Sequence, residues 1–271
     1  MRKLSLIILA VMVAALAGCG GTEHTNDLPI VQDLQLDATS TGRTIVLTWS
    51  EVSGDIDGYK IYLKMDGAGN WIDAGEVTST TYTHNAVNAG VYSIRAYKGD
   101  NYSEDYSSTV STMPSIVNVS YSIFDNYSAD DKPSGFIFGP DSGATGMASS
   151  ADFVQDLYAY DESKGDEDVW LYSGNFGEFG NGSQSNFQAP VSGVYGNCDP
   201  DGLWLTTSYI LYTSDSVVFV ELPYQGGTNA YAKMYGLTVT ADETENGTEV
   251  SFMYEYQSET LGLTVFTSNA N

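Results

Sequence analysis

Two cysteines and two histidines are all that the 271 residues contain. That is too few soft and imidazole donors for a structural zinc site. Cations are scarce as well: ten Lys and Arg stand against 35 Asp and Glu, for a net charge of −25. Without a basic stripe to displace counterions from phosphate, nucleic acid is excluded as a partner. The same deficit excludes flat adhesion to anionic headgroups. No apolar run reaches the roughly 20 residues of a bilayer-spanning helix. The longest, Leu4 to Ala15, is interrupted only by Ser5 and has the length of a signal-peptide core. Outside it no 3.6-residue apolar period is sustained, which removes long amphipathic helices from consideration.

Arg2 and Lys3 precede that run, and Leu16-Ala17-Gly18-Cys19 follows it. This pattern resembles a bacterial lipobox. The resemblance implies removal of residues 1–18, a diacylglyceryl group on the Cys19 sulfur and acylation of the new amino terminus. It implies a lipid-anchored protein of the bacterial cell envelope. In a Gram-negative cell, Gly20 in place of Asp permits transfer to the outer membrane. Several acyl chains make such an anchor effectively permanent, since each buried CH₂ contributes about 0.8 kcal/mol. With Cys19 acylated, Cys198 has no partner for an intramolecular disulfide, so a packed core must hold the fold. Cys198 itself reads as a small buried apolar residue.

What the chain has in quantity is tyrosine, 20 in all, among abundant Thr, Ser and Val. Clusters of Gly, Asn and Asp break it about every 8–12 residues, the texture of an all-β protein of short strands. Residues 19–28 are polar and aperiodic and read as a flexible tether. Met113-Pro114 punctuates the remainder. The expected organisation is a β-sandwich over 29–114 and a second β-sandwich or jelly-roll-like domain over 115–271.

In the first domain, one face carries Ile45, Leu47 and Trp49, another Tyr59, Ile61 and Leu63, and a third Tyr92, Ile94 and Ala96. Such alternation means strands with one buried and one wet face. The stretches "IVLTWSEV", "IDGYKIYLK", "TTYTHN" and "AGVYSIRAYKGDNYSEDYS" resemble a fibronectin type III domain. The resemblance implies a core centred on Trp49, with Tyr59 packed beside it. It implies that Tyr92 makes a corner hydrogen bond to upstream backbone. A leucine usual before the sixth strand is missing, and Val87 is expected to serve in its place. Lys98-Gly99-Asp100 falls where some family members carry an adhesive Arg-Gly-Asp, but a Gly-Asp turn after a strand is expected by chance, and an ordinary turn is its reading here.

In the second domain, "GFIFGPDSGATGMASSADFVQDLYAY" and "AYAKMYGLTVTADETENGTEVSFMYEYQ" resemble a module of bacterial surface lipoproteins of unknown function, haem-scavenging ones among them. The histidines that ligate haem are absent here, leaving Met147, Met234 and Met253, for which buried packing is the plainer use. Acidic loops offer oxygen donors of the kind calcium takes: Asp161, Asp166 and Asp168 in "YDESKGDEDVW", Asp199 and Asp201 in "NCDPDG", and Asp125 with Asp130 and Asp131. None has full EF-hand spacing, so solvated turns compete with calcium at each. Nothing singles out a glycosidase carboxylate pair, and neither His24 nor His84 sits in a nucleophile elbow. Trp170 and Trp204, with tyrosines nearby, are candidates for stacking a sugar ring, although tryptophans also fill cores. The expected function is non-catalytic: an anchored surface that binds a protein or a glycan. Capture of glycan, calcium or haem by the second domain is the alternative, and an envelope-attached glycan-active enzyme comes third.

Overall fold

The computed structural model describes residues 28–128, 132–139, 142–145, 155–162, 169–177, 179–180, 182–190, 195–199, 201–211, 217–223, 228–242, 247–258 and 261–268. Among these there is no helix; the protein is all-β. The first eight strands are β1 (Gln35–Leu36), β2 (Thr44–Thr48), β3 (Gly58–Met65), β4 (Ile72–Val77), β5 (Thr81–Asn85), β6 (Gly90–Lys98), β7 (Asn101–Tyr102) and β8 (Val110–Ser111). They form two antiparallel sheets, ordered β1-β2-β5 and β4-β3-β6-β7, with β8 also on β6. This is the three-on-four arrangement of immunoglobulin-like sandwiches.

The alternation read in the sequence fills this core. Ile45, Leu47, Trp49, Tyr59, Ile61, Leu63, Tyr92, Ile94 and Ala96 are all buried in one cluster. Trp49 and Tyr59 meet edge to face at 5.2 Å, a favourable quadrupole geometry. Two strands are short. β1 is confined to Gln35–Leu36, after Asp33 takes a positive φ of 57°. β8 is confined to Val110–Ser111. Ahead of it the Ser107 hydroxyl accepts the Ile94 N–H at 2.9 Å, a ladder position that backbone would otherwise hold.

The corner bond is also redistributed. Tyr92 pairs its hydroxyl with His84 Nδ1 at 2.8 Å instead of reaching upstream backbone. The bond to backbone is made by Tyr59, whose hydroxyl accepts the Val52 N–H at 3.0 Å. Burial holds His84 below its ordinary pKa of 6.5. The unfolded chain therefore binds that proton more readily, so this contribution to stability is complete above about pH 6.5 and is lost as pH falls below it. Urea midpoints should drop between about pH 7 and pH 5, and the drop should shrink in His84→Gln. An unchanged slope in that variant would remove His84 as the cause.

Ten further strands follow: β9 (Ser115–Phe124), β10 (Gly135–Ile137), β11 (Gly143–Thr145), β12 (Leu157–Tyr160), β13 (Val169–Ser173), β14 (Asn186–Gln188), β15 (Ser208–Leu211), β16 (Val217–Leu222), β17 (Ala230–Asp242) and β18 (Gly247–Gln257). They make antiparallel sheets ordered β11-β10-β12-β13-β15 and β14-β16-β17-β18-β9. Between the sheets lies an aromatic-rich core that includes Phe136, Leu157, Leu171, Val220, Met234, Phe252 and Tyr254.

The second sheet is covered on its other face too. Residues 261–268 cross it and lie against the first sandwich. Their alternation serves two cores at once. Leu263 and Val265 are buried in the first sandwich, whereas Phe266 packs on Phe219 and Cys198 over the second sheet. Gly42 pairs with Leu263, and Asn197 pairs with Val265. The Ala89 N–H donates to Phe266 O at 2.7 Å, and the Phe266 N–H donates to Gly196 O at 2.7 Å. A Cβ on Gly196 would lie 2.8 Å from the Val87 carbonyl oxygen, which is backbone and cannot swing aside, so glycine suits this close approach. The Gln257 Nε2 donates both to Thr112 O (2.8 Å) and to Val265 O (2.6 Å), tying three segments together.

The tail also corrects the expectation for Val87, which is 57% exposed. Leu263 and Val265 supply the apolar volume at that end of the core instead. The tail forms no strand of either sheet: Leu263 bridges Gly42 of the first sandwich, and Val265 bridges Asn197 of the second.

Candidate functional site

The sheet containing β12 and β13 turns aliphatic side chains inward and aromatic ones outward. Leu157, Ala159, Val169 and Leu171 enter the core. Tyr158, Tyr160, Trp170 and Tyr172 occupy the opposite face with Phe179. Tyr160 and Trp170 are directly opposite across the strands. The Tyr160 and Tyr172 rings stack at 4.7 Å, and Trp170 meets Tyr172 edge-on at 6.5 Å. Phe176, 38% exposed, adds a ring 5.2 Å from Tyr172. Gly177 has a positive φ, and a Cβ there would lie 2.5 Å from the Tyr158 hydroxyl, so the turn carrying Phe176 needs glycine. That hydroxyl donates to Phe176 O at 2.6 Å and fixes the turn to the sheet. The Tyr172 hydroxyl donates to Glu162 Oε1 at 3.1 Å. Burial, aided by that carboxylate, pushes its pKa up to about 12. The result is a rigid aromatic row beside an acidic group. Tyr158 and Tyr172 are buried, so half-buried Tyr160 and Trp170 are the rings of the row within reach of a ligand; apolar ring surface suits the C–H faces of a pyranose, and the carboxylate suits its hydroxyls.

Trp204 is not part of this row. It packs half-buried against the cluster of Cys198, Phe219, Tyr231 and Phe266. Its ring centroid is 6.0 Å from that of Tyr231. Its indole N–H is buried without a partner. The single platform of two tryptophans is thus split: Trp170 is on an aromatic face, and Trp204 is packing beneath the tail.

The acidic candidates separate as well. Asp161 is buried, and its backbone N–H donates to Asn126 Oδ1 at 2.8 Å; Asp166 and Asp168 lie outside the described residues, as do Cys19, Asp130, Asp131 and Met147. Asp199 and Asp201 are exposed in a tight turn in which the Asp201 N–H donates to Asp199 Oδ1 at 3.1 Å. Asp125 is a turn staple, its carboxylate accepting the N–H groups of Tyr127 and Thr248 at 2.9 and 2.7 Å. Among the described residues no three His, Cys, Asp or Glu side chains are grouped to hold a metal. Met234 is sealed in the core and Met253 packs against the tail cluster, so neither faces a space for haem. Burial pushes the Cys198 thiol well above the ordinary range, which makes it an unreactive packing residue.

Where the two sandwiches meet, a cleft of about 770 Å³ opens. Arg43, Thr83 and Asn85 line it from the first sandwich; Asp199, Asp201 and Asn229 line it from the second, with Tyr231. Asn229 is held by the mostly buried Glu221, to which its Nδ2 donates at 2.6 Å. Tyr231 and Asn186 also donate to Glu221, at 3.3 and 2.5 Å.

The outer face of β3 and β6 carries another aromatic group, with Lys64 over Trp71 at 4.6 Å and Arg95 over Tyr106 at 5.1 Å. Lys60 there is already neutralised by Asp73 at 2.8 Å and Glu76 at 3.0 Å. This face satisfies its own charges and is not an open cationic patch.

Sequence reasoning missed the Lys233–Glu255 pair and Glu221. Lys233 and Glu255 are fully buried, directly opposite on β17 and β18, with Nζ 3.5 Å from Oε1. Lys233 Nζ donates to Thr267 O at 2.7 Å, and Glu255 Oε2 accepts the Thr267 N–H at 2.8 Å. The available signal was one lysine and one glutamate at mid-strand positions among aromatics, in "AYAKMYG" and "YEYQ".

No family model matches the chain, and no curated protein matches it. Among solved structures it is similar to titin kinase with its flanking domains at 12% identity and TM-score 0.27, covering 84% of this chain and 38% of that one. It is similar to a two-domain fibronectin type III segment of chicken tenascin at 13% identity and TM-score 0.28, covering 77% and 93%. A cycloalternan-degrading enzyme from Trueperella pyogenes aligns at 11% identity and TM-score 0.19, covering 84% and 30%. The chain spans well under half of the titin chain. Superpositions this loose carry no argument about function. The type III likeness rests on the strand order and the Trp49–Tyr59 core of the first sandwich.

Proposed function

We propose that this is a non-catalytic, lipid-anchored protein of the bacterial envelope that binds a glycan on the aromatic face of its second sandwich. The half-buried pair Tyr160 and Trp170, backed by buried Tyr172 and beside Glu162, carries the reading. Buried Tyr158 and Tyr172 on the same two paired strands hold it rigid, so little side-chain entropy is lost on binding. Aromatic rings bring apolar area and a preferred stacking geometry together. The type-III-like sandwich serves as an interaction or spacing module, as fold alone fixes no chemistry. The anchor rests on the Leu16-Ala17-Gly18-Cys19 pattern. Calcium enters the proposal only through the acidic segment that joins β12 to β13.

A glycan array probed with the full-length protein, in calcium and in EDTA, tests the binding. Selective retention of one glycan class is expected, weakened tenfold or more by Trp170→Ala and unaffected by Trp204→Phe. No retention, or retention indifferent to Trp170, would sink the reading. Mass spectrometry of the mature N-terminus should find diacylglyceryl-modified Cys19; an unmodified secreted chain would end the anchoring part.

A further inference from the structure

We infer that the cleft between the sandwiches is a second ligand site, separate from the aromatic face, that takes a neutral polyhydroxylated saccharide gripped from both sides. Its volume of about 770 Å³ lies within the roughly 300–1,000 Å³ of small-molecule sites. The lining excludes most other ligand classes. Nearly every lining side chain carries a polar group, so a lipid or flat aromatic molecule would strand donors and acceptors on burial. Asp199 and Asp201 face a single guanidinium, Arg43, so a phosphate or carboxylate ligand would meet net repulsion. No trio of ligating groups is present among the described residues to hold a bare divalent cation.

What remains complementary is a neutral solute carrying many donors and acceptors. The cleft offers both. Arg43 donates, Asp199 and Asp201 accept, and Asn85, Asn229 and Thr83 do either. The floor is preorganised by Glu221, which is 9% exposed and is bonded to Asn186, Asn229 and Tyr231. Fixing the Asn229 Nδ2 on Glu221 leaves its Oδ1 as an acceptor for ligand. A charge so nearly buried is costly unless its partners are held in place. Spending it on the floor of a cleft orients groups that would otherwise swing freely. Because the walls belong to different sandwiches, a bound saccharide bridges them and stabilises their junction by mass action.

The test uses the full-length protein with neutral disaccharides: cellobiose, maltose, lactose and N,N′-diacetylchitobiose. Binding is followed by calorimetry and by the thermal unfolding midpoint, with glucose 6-phosphate as the anionic comparison. At least one disaccharide should bind and raise the midpoint. Asn85→Ala on one wall and Asp201→Ala on the other should each weaken it at least tenfold, with the ligand-free midpoint unchanged. Trp170→Ala should leave this binding intact, which separates the cleft from the aromatic face. The inference is overturned if no disaccharide binds, if glucose 6-phosphate binds more tightly, or if binding survives both wall variants. It is equally overturned if Trp170→Ala alone abolishes binding.

Discussion

Deleting residues 261–271 should cost on the order of 5 kcal/mol or more and destabilise both sandwiches. Leu263, Val265 and Phe266 are buried, and fully burying each such side chain is worth roughly 1.5–3 kcal/mol. Deletion also leaves buried groups without partners, among them the Ala89 and Cys198 N–H groups, which donate to Phe266 O and Thr264 O. Domains are stable by only about 5–15 kcal/mol, so the loss is a large share of the total. The most sensitive reporter is Cys198, which is 2% exposed beneath Phe266. In the intact protein it should resist a thiol reagent until unfolding, and in the deletion it should react under native conditions. Val265→Asp should act in the same direction by placing a carboxylate in the first core, without removing any chain. A truncated protein that keeps its urea midpoint and a protected Cys198 would contradict the shared-tail architecture.

Glu255→Ala should destabilise by about 3–5 kcal/mol, because it strands the Lys233 ammonium in a fully buried site. Burial already presses the Lys233 pKa downward, and Glu255 opposes that shift. The double variant Lys233→Met/Glu255→Leu should recover only part of the loss. Replacing a buried pair with apolar residues is often neutral. Here, however, the pair also receives the Thr267 N–H and caps its carbonyl. An unpaired buried polar group costs about 1–3 kcal/mol. Urea denaturation of Glu255→Ala and of the double variant reads this directly. A double variant as stable as the parent would mean that the tail contact at Thr267 is worth nothing.

Much of the first sandwich is legible in its period of two. Ile45, Leu47 and Trp49 alternate with Thr44, Val46, Thr48 and Ser50, and burial follows the same period because one face of β2 meets the core. The same signal misleads in β18. Phe252 and Tyr254 do enter the core as their alternation implies, yet Glu255, on the supposedly wet face, is fully buried. A third layer covers that face, and the layer comes from residues 261–268. Alternation in "LGLTVF" reveals a strand-like segment but not that its two faces belong to different cores, since that depends on contacts more than 150 residues away in sequence, such as Gly42 with Leu263. Trp170 and Trp204 look alike in sequence for the same reason. Each follows one apolar residue, Val169 or Leu203, after an acidic stretch, and only the tail's position makes one a packing residue. The cleft was illegible altogether, because its walls come from loops and strand ends of both sandwiches.

The measurement that bears most directly on the proposed function is a titration of the best array glycan into the parent protein and Trp170→Ala, followed by chromatography of the recovered glycan. The account predicts saturable binding that Trp170→Ala weakens at least tenfold, with the glycan recovered unchanged. A cleaved glycan, or equal affinity in the two proteins, would contradict it.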